Sequence, residues 1–221
     1  MQDLVVVGAG GHAREIVSLV HDLNRSVPSF NLLGVIADDP PDEEVLGRLG
    51  VAYLGPVPSD APFDAGFVVG IGAPHDRQRV AEHLAGLGGR PVTLVHPSAQ
   101  VGTDVELAPG VVVFAGVVLT TNVRVGVHSH LNVNSSVSHD CRVGAYVTLS
   151  PGAVVCGTVT IGNGAYVGAN ACIIQGLEID ERAVVGAGAV VTRNVAADLT
   201  VVGVPARPLR NSALLESNRR P

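Results

Sequence analysis

Three histidines fall close together near the middle of the chain: His128, His130 and His139. A free imidazole titrates at about 6.5, so its neutral form can accept a proton at neutral pH and hand it on. His139 is followed at once by Asp140, whose carboxylate could orient the ring and stabilise the imidazolium. A second group lies near the N-terminus. Gly8-Ala9-Gly10-Gly11-His12-Ala13 follows the apolar run Leu4 to Val7 and precedes a helical stretch. Gly8, Gly10 and Ala13 satisfy the G-x-G-x-x-[GA] spacing, in which small residues let backbone approach a phosphate and a helix N-terminus attracts the anion. Asp38 closes the second apolar run, where a carboxylate can accept hydrogen bonds from a ribose or a base. The chemistry on offer is therefore a proton acceptor and a nucleotide cradle. Taken alone, the His-Asp pair also fits a solvated corner, and the glycine loop also fits a turn that packs helix on strand.

These residues need two different frames. From 101 to 196 the chain divides into hexads whose first residue is Val, Leu or Ile in all 16 units, from Val101, Leu107 and Val113 to Val185 and Val191. Chance would give this on the order of 10⁻⁸ of the time, before choosing among frames. The fifth position is small or apolar (Val105, Val111, Val117, Val123, Ser129, Ser135, Cys141, Val147), and glycine favours the second. A period of six is neither helical nor a plain strand alternation. It fits a short strand and a corner, repeated, with three hexads closing one triangular coil and about five coils in all. His139 is the third residue of its hexad, near a corner, where a side chain points outward. Gly157 lies one coil on, stacked beside it. Cys141, at a fifth position, belongs to the core. A β-sandwich with accidental spacing is the plain alternative.

Residues 1–97 read differently. Strands at Leu4–Val7, Leu32–Ile36, Gly66–Ile71 and Val92–Val95 alternate with helices at about 14–23, 43–49 and 76–87, which implies a parallel α/β sheet. So short a region leaves no room for a second mononucleotide half, so the loop is read as holding one nucleotide diphosphate and not NAD. The expected division is a Rossmann-like nucleotide-sugar domain at 1–97, a parallel β-helix at 98–200 and a C-terminal tail at 201–221.

Composition excludes several classes. The net charge of -6 disfavours nucleic acid. There is no apolar run of about 18 residues and no signal-peptide pattern after Met1, so no membrane span is expected. Three cysteines (Cys141, Cys156, Cys172) with no CxxC pair suit reduced thiols in a cytoplasm. All 14 basic residues are arginine, which removes a lysine Schiff base and a Walker-A loop.

The stretch from Asn132 to Cys141 resembles the catalytic segment of bacterial sugar O- and N-acetyltransferases of the sialic acid O-acetyltransferase (NeuD) and PglD type. The loop Gly8 to His12, Asp38-Asp39, Gly70-Ile71-Gly72, the junction Val95-His96-Pro97-Ser98 and the closing Val202 to Arg207 match as well, in order, across nearly the whole chain. The resemblance implies that the β-helix is left-handed, against the usual right-handed crossover. It implies a cytoplasmic, trimeric acyltransferase that joins acetyl-CoA to a nucleotide-linked sugar for cell-surface polysaccharide. His139 would be the proton acceptor, Asp140 would raise its basicity, and the Gly157 N–H is a candidate oxyanion donor. Gly10, Gly11, His12, Asp38, Asp39 and Gly72 would hold the nucleotide sugar. Acetyl-CoA would lie near Thr148, Ala169 and Ala187, with no metal. Some relatives carry a second histidine where this chain has Thr148; His130, one coil below, could fill similar space. An amine and a hydroxyl acceptor need the same base, so N-acetylation of an amino sugar and O-acetylation of a sialic-acid-like sugar both stay open. A γ-type carbonic anhydrase, with three metal-binding histidines on the same β-helix, and a nucleotide-sugar sensor without turnover are the readings from other classes.

Overall fold

A computed structural model describes residues 1–209. In the N-terminal region, β1 (Gln2–Val7), β2 (Phe30–Ile36), β3 (Gly66–Val69) and β4 (Arg90–Pro91) form a parallel sheet in the order β2-β1-β3-β4. Three helices, α1 (Gly11–Ser26), α2 (Glu43–Arg48) and α3 (Pro74–Gly86), connect them. Helix α1 forms because Ala13, Ile16, Val17, Leu19 and Val20 recur at helical spacing and bury one stripe. The Asp42 side chain caps α2 by accepting from Val45 N–H, and Pro74 opens α3, where its missing N–H costs nothing. Ala13 packs so tightly on Gly70 that a Cβ there would stand 2.6 Å from it. This close approach fixes α1 against the end of β3.

The expected strand Val92–Val95 is divided in the structure. The α/β sheet ends at Pro91, while Leu94–Val95 pairs with Val112–Val113, one coil on, as the first rung of the solenoid. Val95 stands one hexad before Val101, so the repeat register already runs through it. The solenoid is a left-handed β-helix of about six turns, against the five expected from the sequence. Its first face carries rungs from Leu94–Val95 through His130–Leu131 and Thr148–Leu149 to Thr200–Val202. The second runs from Gln100–Val101 to Val190–Val191, and the third from Val105–Leu107 to Glu178–Ile179. First and fifth hexad positions together fill the interior; Val101 in the opening turn is exposed, and Leu107 and Leu177 are partly buried against the core. Each buried aliphatic is worth about 1.5–3 kcal/mol. The last turn is two residues short, since Val184 pairs with Thr200, and Arg207–Pro208 folds back antiparallel on Val201–Val202. Part of the expected tail is thus a closing strand; 210–221 lie outside the described residues.

Corners and glycines do different jobs. The fourth hexad residue has positive φ at corner after corner, as at Asn122 (50°), His128 (53°), Asn134 (58°) and Asp140 (62°). The chain therefore turns at the fourth position, and not beside the second-position glycines. Those serve close stacking: a Cβ on Gly126 would stand 2.5 Å from the backbone of Gly144 and Ala145 in the next coil.

The two regions share a core. Leu94, Val112 and Phe114 of the first face pack with Leu4, Ile16 and Val20. The N-terminal region is thus built onto the upper rungs of one face.

Candidate active site

His139 and Asp140 make the corner between Ser136–Val137 on the second face and Arg142–Val143 on the third. The left-handed backbone of Asp140 is one that aspartate tolerates better than most residues. It turns the carboxylate back onto its neighbour, where Oδ2 accepts a 2.7 Å hydrogen bond from His139 Nδ1. Asn122 Nδ2, one coil earlier, donates to Oδ1 at 2.6 Å. These two bonds, His139 first, hold the Asp140 carboxyl below its ordinary pKa. A carboxylate can only accept, so Nδ1 carries the proton and Nε2 presents a free lone pair. The His139 side chain is 59% exposed. Gly157 lies against it: a Cβ there would come within 2.5 Å of Nε2 and Cε1. The Gly157 N–H donates to no backbone acceptor among the described residues. Base and free N–H thus stand side by side, as acyl transfer requires. Asn122 was missed from sequence, although it occupies the same column as Asp140, one coil before it and at the same hexad position.

A cavity of about 650 Å³ opens at the C-terminal ends of β1, β2 and β3. Gly10, Asp38 and Asp39 line it, as do Arg14 and Arg79, which sequence reasoning did not single out. Gly8 turns at φ 106°, which favours glycine, and Gly10 is the N-cap of α1, which has no side-chain cap and no acidic residue in its first turn. Its first N–H groups are left for an anion. Asp38 Oδ1 accepts from Val57 N–H at 3.1 Å, which braces the far wall.

Four expected contacts are elsewhere. Gly11 is exposed but does not line the cavity. His12 faces the β-helix instead: its Nε2 meets His130 Nδ1 at 2.8 Å, its Nδ1 meets Glu15 at 3.1 Å, and its ring lies 5.5 Å from Phe114. The Gly72 carbonyl is occupied by Arg77 and by the Thr148 hydroxyl. Thr148 is itself buried and also bonded to Arg77, because the first face here is covered by the β3–α3 connection. His130 is wholly buried, so it is not open to a thioester on the surface of the β-helix. Burial lowers the pKa of His12, pushes His130 far down and takes His128 to about 4. His128 stacks on Tyr146 at 5.5 Å and on Phe67 at 5.9 Å. The three histidines do not converge as metal ligands would, and no group of three metal-binding side chains occurs among the described residues. Cys141 is buried and its thiol pKa is raised by that burial, so it is not a thiolate nucleophile.

Thr148 pairs in register with Tyr166, and Tyr166 with Val184. A second cavity, about 630 Å³, lies along the lower part of this ladder, between Tyr166, Arg182 and Val184 and the first turn of α3 at Pro74–Asp76. Ala169 and Ala187 do not line it; they stack at the corner that follows the Tyr166–Val167 and Val184–Val185 rungs, with Gly188 N–H donating to Ala169 O. Asp76 lines both cavities.

Two family descriptions match: the PglD N-terminal domain over residues 3–84 and the bacterial transferase hexapeptide (six repeats) over residues 158–193. A GDP-perosamine N-acetyltransferase of Escherichia coli O157:H7 is 33% identical over 213 residues, covering 94% of this chain and 96% of its own. PerB from Caulobacter crescentus, solved with CoA and GDP-perosamine, superposes with a TM-score of 0.79 at 27% identity, over 95% of this chain and 98% of that one. The acetyltransferase domain of PglB from Neisseria gonorrhoeae, solved with acetyl coenzyme A, gives a TM-score of 0.80 at 28% identity, over 94% and 99%. With both regions matched in order and nearly full length covered, the chain belongs to the PglD-type sugar acetyltransferases of the hexapeptide-repeat acyltransferase superfamily.

Proposed function

We propose that the protein transfers the acetyl group of acetyl-CoA to the amino group of a nucleotide-linked amino sugar, with His139 as general base. The observation that carries this is the free Nε2 of His139 beside the unpaired Gly157 N–H. The amine attacks the thioester carbonyl and loses its proton to Nε2. The Asp140 carboxylate stabilises the resulting imidazolium. Gly157 N–H donates to the oxyanion as the tetrahedral intermediate forms. The intermediate then collapses, expelling the CoA thiolate, which takes the proton back from His139. Gly10, Asp38, Asp39, Arg14 and Arg79 hold the nucleotide diphosphate sugar in the first cavity. Acetyl-CoA occupies the second, along Tyr166 and Val184 beside Ala169 and Ala187, with its thioester towards Thr148. An amine acceptor is favoured over a hydroxyl because the Escherichia coli relative and a Caulobacter crescentus structural neighbour are perosamine N-acetyltransferases.

The working form is a homotrimer. The nucleotide cavity belongs to the domain docked on the first face, whereas His139 stands at the opposite vertex, between the second and third faces. One chain cannot bring them together, so the site is completed by the His139 corner of a neighbour, and three such contacts close a ring. The cytoplasm supplies both substrates, and no helix among the described residues is long and apolar enough to cross a membrane. The test is thiol release from acetyl-CoA with GDP-perosamine and with UDP-, dTDP- and CMP-linked amino sugars. Turnover with one of them and none with sialic acid supports the reading; turnover only with a hydroxyl acceptor, or tight binding without thiol release, defeats it. Light scattering that finds a stable monomer defeats the trimer.

A further inference from the structure

Arg77 is wholly buried, yet no carboxylate among the described residues meets it. Its guanidinium is satisfied by oxygen atoms from both halves of the molecule. Nη1 donates to the carbonyls of Ile71 (2.8 Å) and Gly72 (3.0 Å) in the β3–α3 connection. Nε donates to His128 O (2.8 Å), and Nη2 to Tyr146 O (2.8 Å), Val147 O (3.2 Å) and Thr148 Oγ1 (2.9 Å), all in the β-helix. An uncompensated buried cation is costly, and here burial drags the Arg77 pKa down to about 9. Such a group persists where its geometry is wanted; a planar fork of five donors spans two backbones as no other side chain can. Its position says what the geometry is for. Ile71, which it holds, and Asp76, Arg79 and Val80 on the other side of α3 line the nucleotide cavity. Thr148, which it also holds, heads the ladder of the second cavity. Arg77 is thus the tie beneath the helix that divides the two.

We propose that Arg77 is a positioning residue for acetyl transfer: by locking the β3–α3 connection to the coil that carries Tyr146 to Thr148, it fixes the distance between the bound nucleotide sugar and the acetyl-CoA thioester. It touches neither substrate. Its effect falls on alignment of the reacting atoms, where a displacement of about 1 Å costs up to about 100-fold. The proposal rests on the function given above, and the test separates the two.

The variants R77M and R77K are compared with the full-length wild type. Steady-state kinetics uses GDP-perosamine, or whichever nucleotide amino sugar the wild type acetylates best. Calorimetry gives the Kd of that sugar and of CoA, each alone. The expected result is kcat lowered by about 10- to 100-fold, with each Kd within about threefold of wild type. Lysine should not rescue, because one ammonium cannot bridge both backbones. Unchanged kcat in a folded variant overturns the proposal. So does a parallel loss of kcat and both affinities, which marks a purely structural residue. If R77M does not fold, R77K carries the test; if neither folds, the role is structural and the proposal fails. A wild type with no turnover on any nucleotide amino sugar instead defeats the functional reading itself.

Discussion

Two sets of histidines share one short stretch of the repeat and have opposite environments. His128 and His130, with His12, are sealed between the two regions, and burial holds all three towards the neutral form. His139 stands in solvent, oriented by a carboxylate that is itself tied by Asn122. The first set is joined to ring stacks and to another imidazole, and the second to a charge. What separates them is the corner on which each falls. His128 and His130 flank the start of a first-face rung, which the N-terminal region covers, and His139 lies at the vertex farthest from it. A histidine cluster in sequence is therefore not a histidine cluster in space when the chain turns at every hexad.

This contrast can be tested from its strongest consequence downward. Replacing His139 by Ala should lower kcat by at least about 100-fold, with circular dichroism and melting temperature unchanged, because an exposed side chain leaves no cavity. If H128N or H130A instead abolishes turnover in a folded protein while H139A does not, the base has been placed on the wrong side of the molecule. Gly157→Ala comes next. Its new Cβ would overlap the imidazole, so kcat should fall by about tenfold or more through a displaced base; the backbone there needs no left-handed conformation, so the melting temperature should hold. Asp140→Asn should cost less than either, several-fold in kcat. Asn accepts the positive φ of 62° but only weakly stabilises an imidazolium. An effect as large as that of H139A would show that the charge does more than tune the base.

The smallest effect concerns the sealed set. Their folded pKa values lie below the unfolded value of about 6.5, and that of His128 is about 4. Between these limits the unfolded chain binds more protons, so stability rises with pH across the window and is lost as pH falls through it. Melting temperature should drop by several degrees from pH 6.5 to 4.5, and H128N should flatten that slope. The lowered Asp140 acts below this window, where its hydrogen bonds are lost as the carboxylate protonates. A wild-type profile flat over the window would mean that the seam admits protonated rings without cost.

The repeat was plain in the sequence because it is stated sixteen times by one residue class, and the corner position of His139 followed from the register. The order of strands and helices in the first region was equally legible. The turning position was not: residues as unlike as Tyr146 (58°), Thr158 (60°) and Arg182 (55°) take the left-handed conformation that Gly, Asn and Asp take elsewhere in the same column. There the stacked coils impose the backbone and the side chain follows. Arg77 was invisible for a related reason. It lies in a helix among Asp76, Gln78, Arg79 and Glu82 and reads as one more solvated charge; only the docked coil buries it. His12 follows a loop that does line a cavity, but it is already the second residue of helix α1, which turns its ring the other way.

The constant length of a full turn makes the chain a ruler for insertions. Every corner column, from Thr121 through His139 and Gly157 to Gln175, is kept in line only by counting. Three hexads added between coils would lengthen the prism by one storey and leave each column facing as before. A single hexad added between His139 and Ala169 would still satisfy every inward aliphatic and every ladder. Yet Ala169 and Ala187 would then be carried round to the vertex of His139, one face from where they started. Length changes in this protein therefore divide into those that preserve its facing and those that scramble it, and the difference is invisible to the hydrophobic pattern that folds the chain.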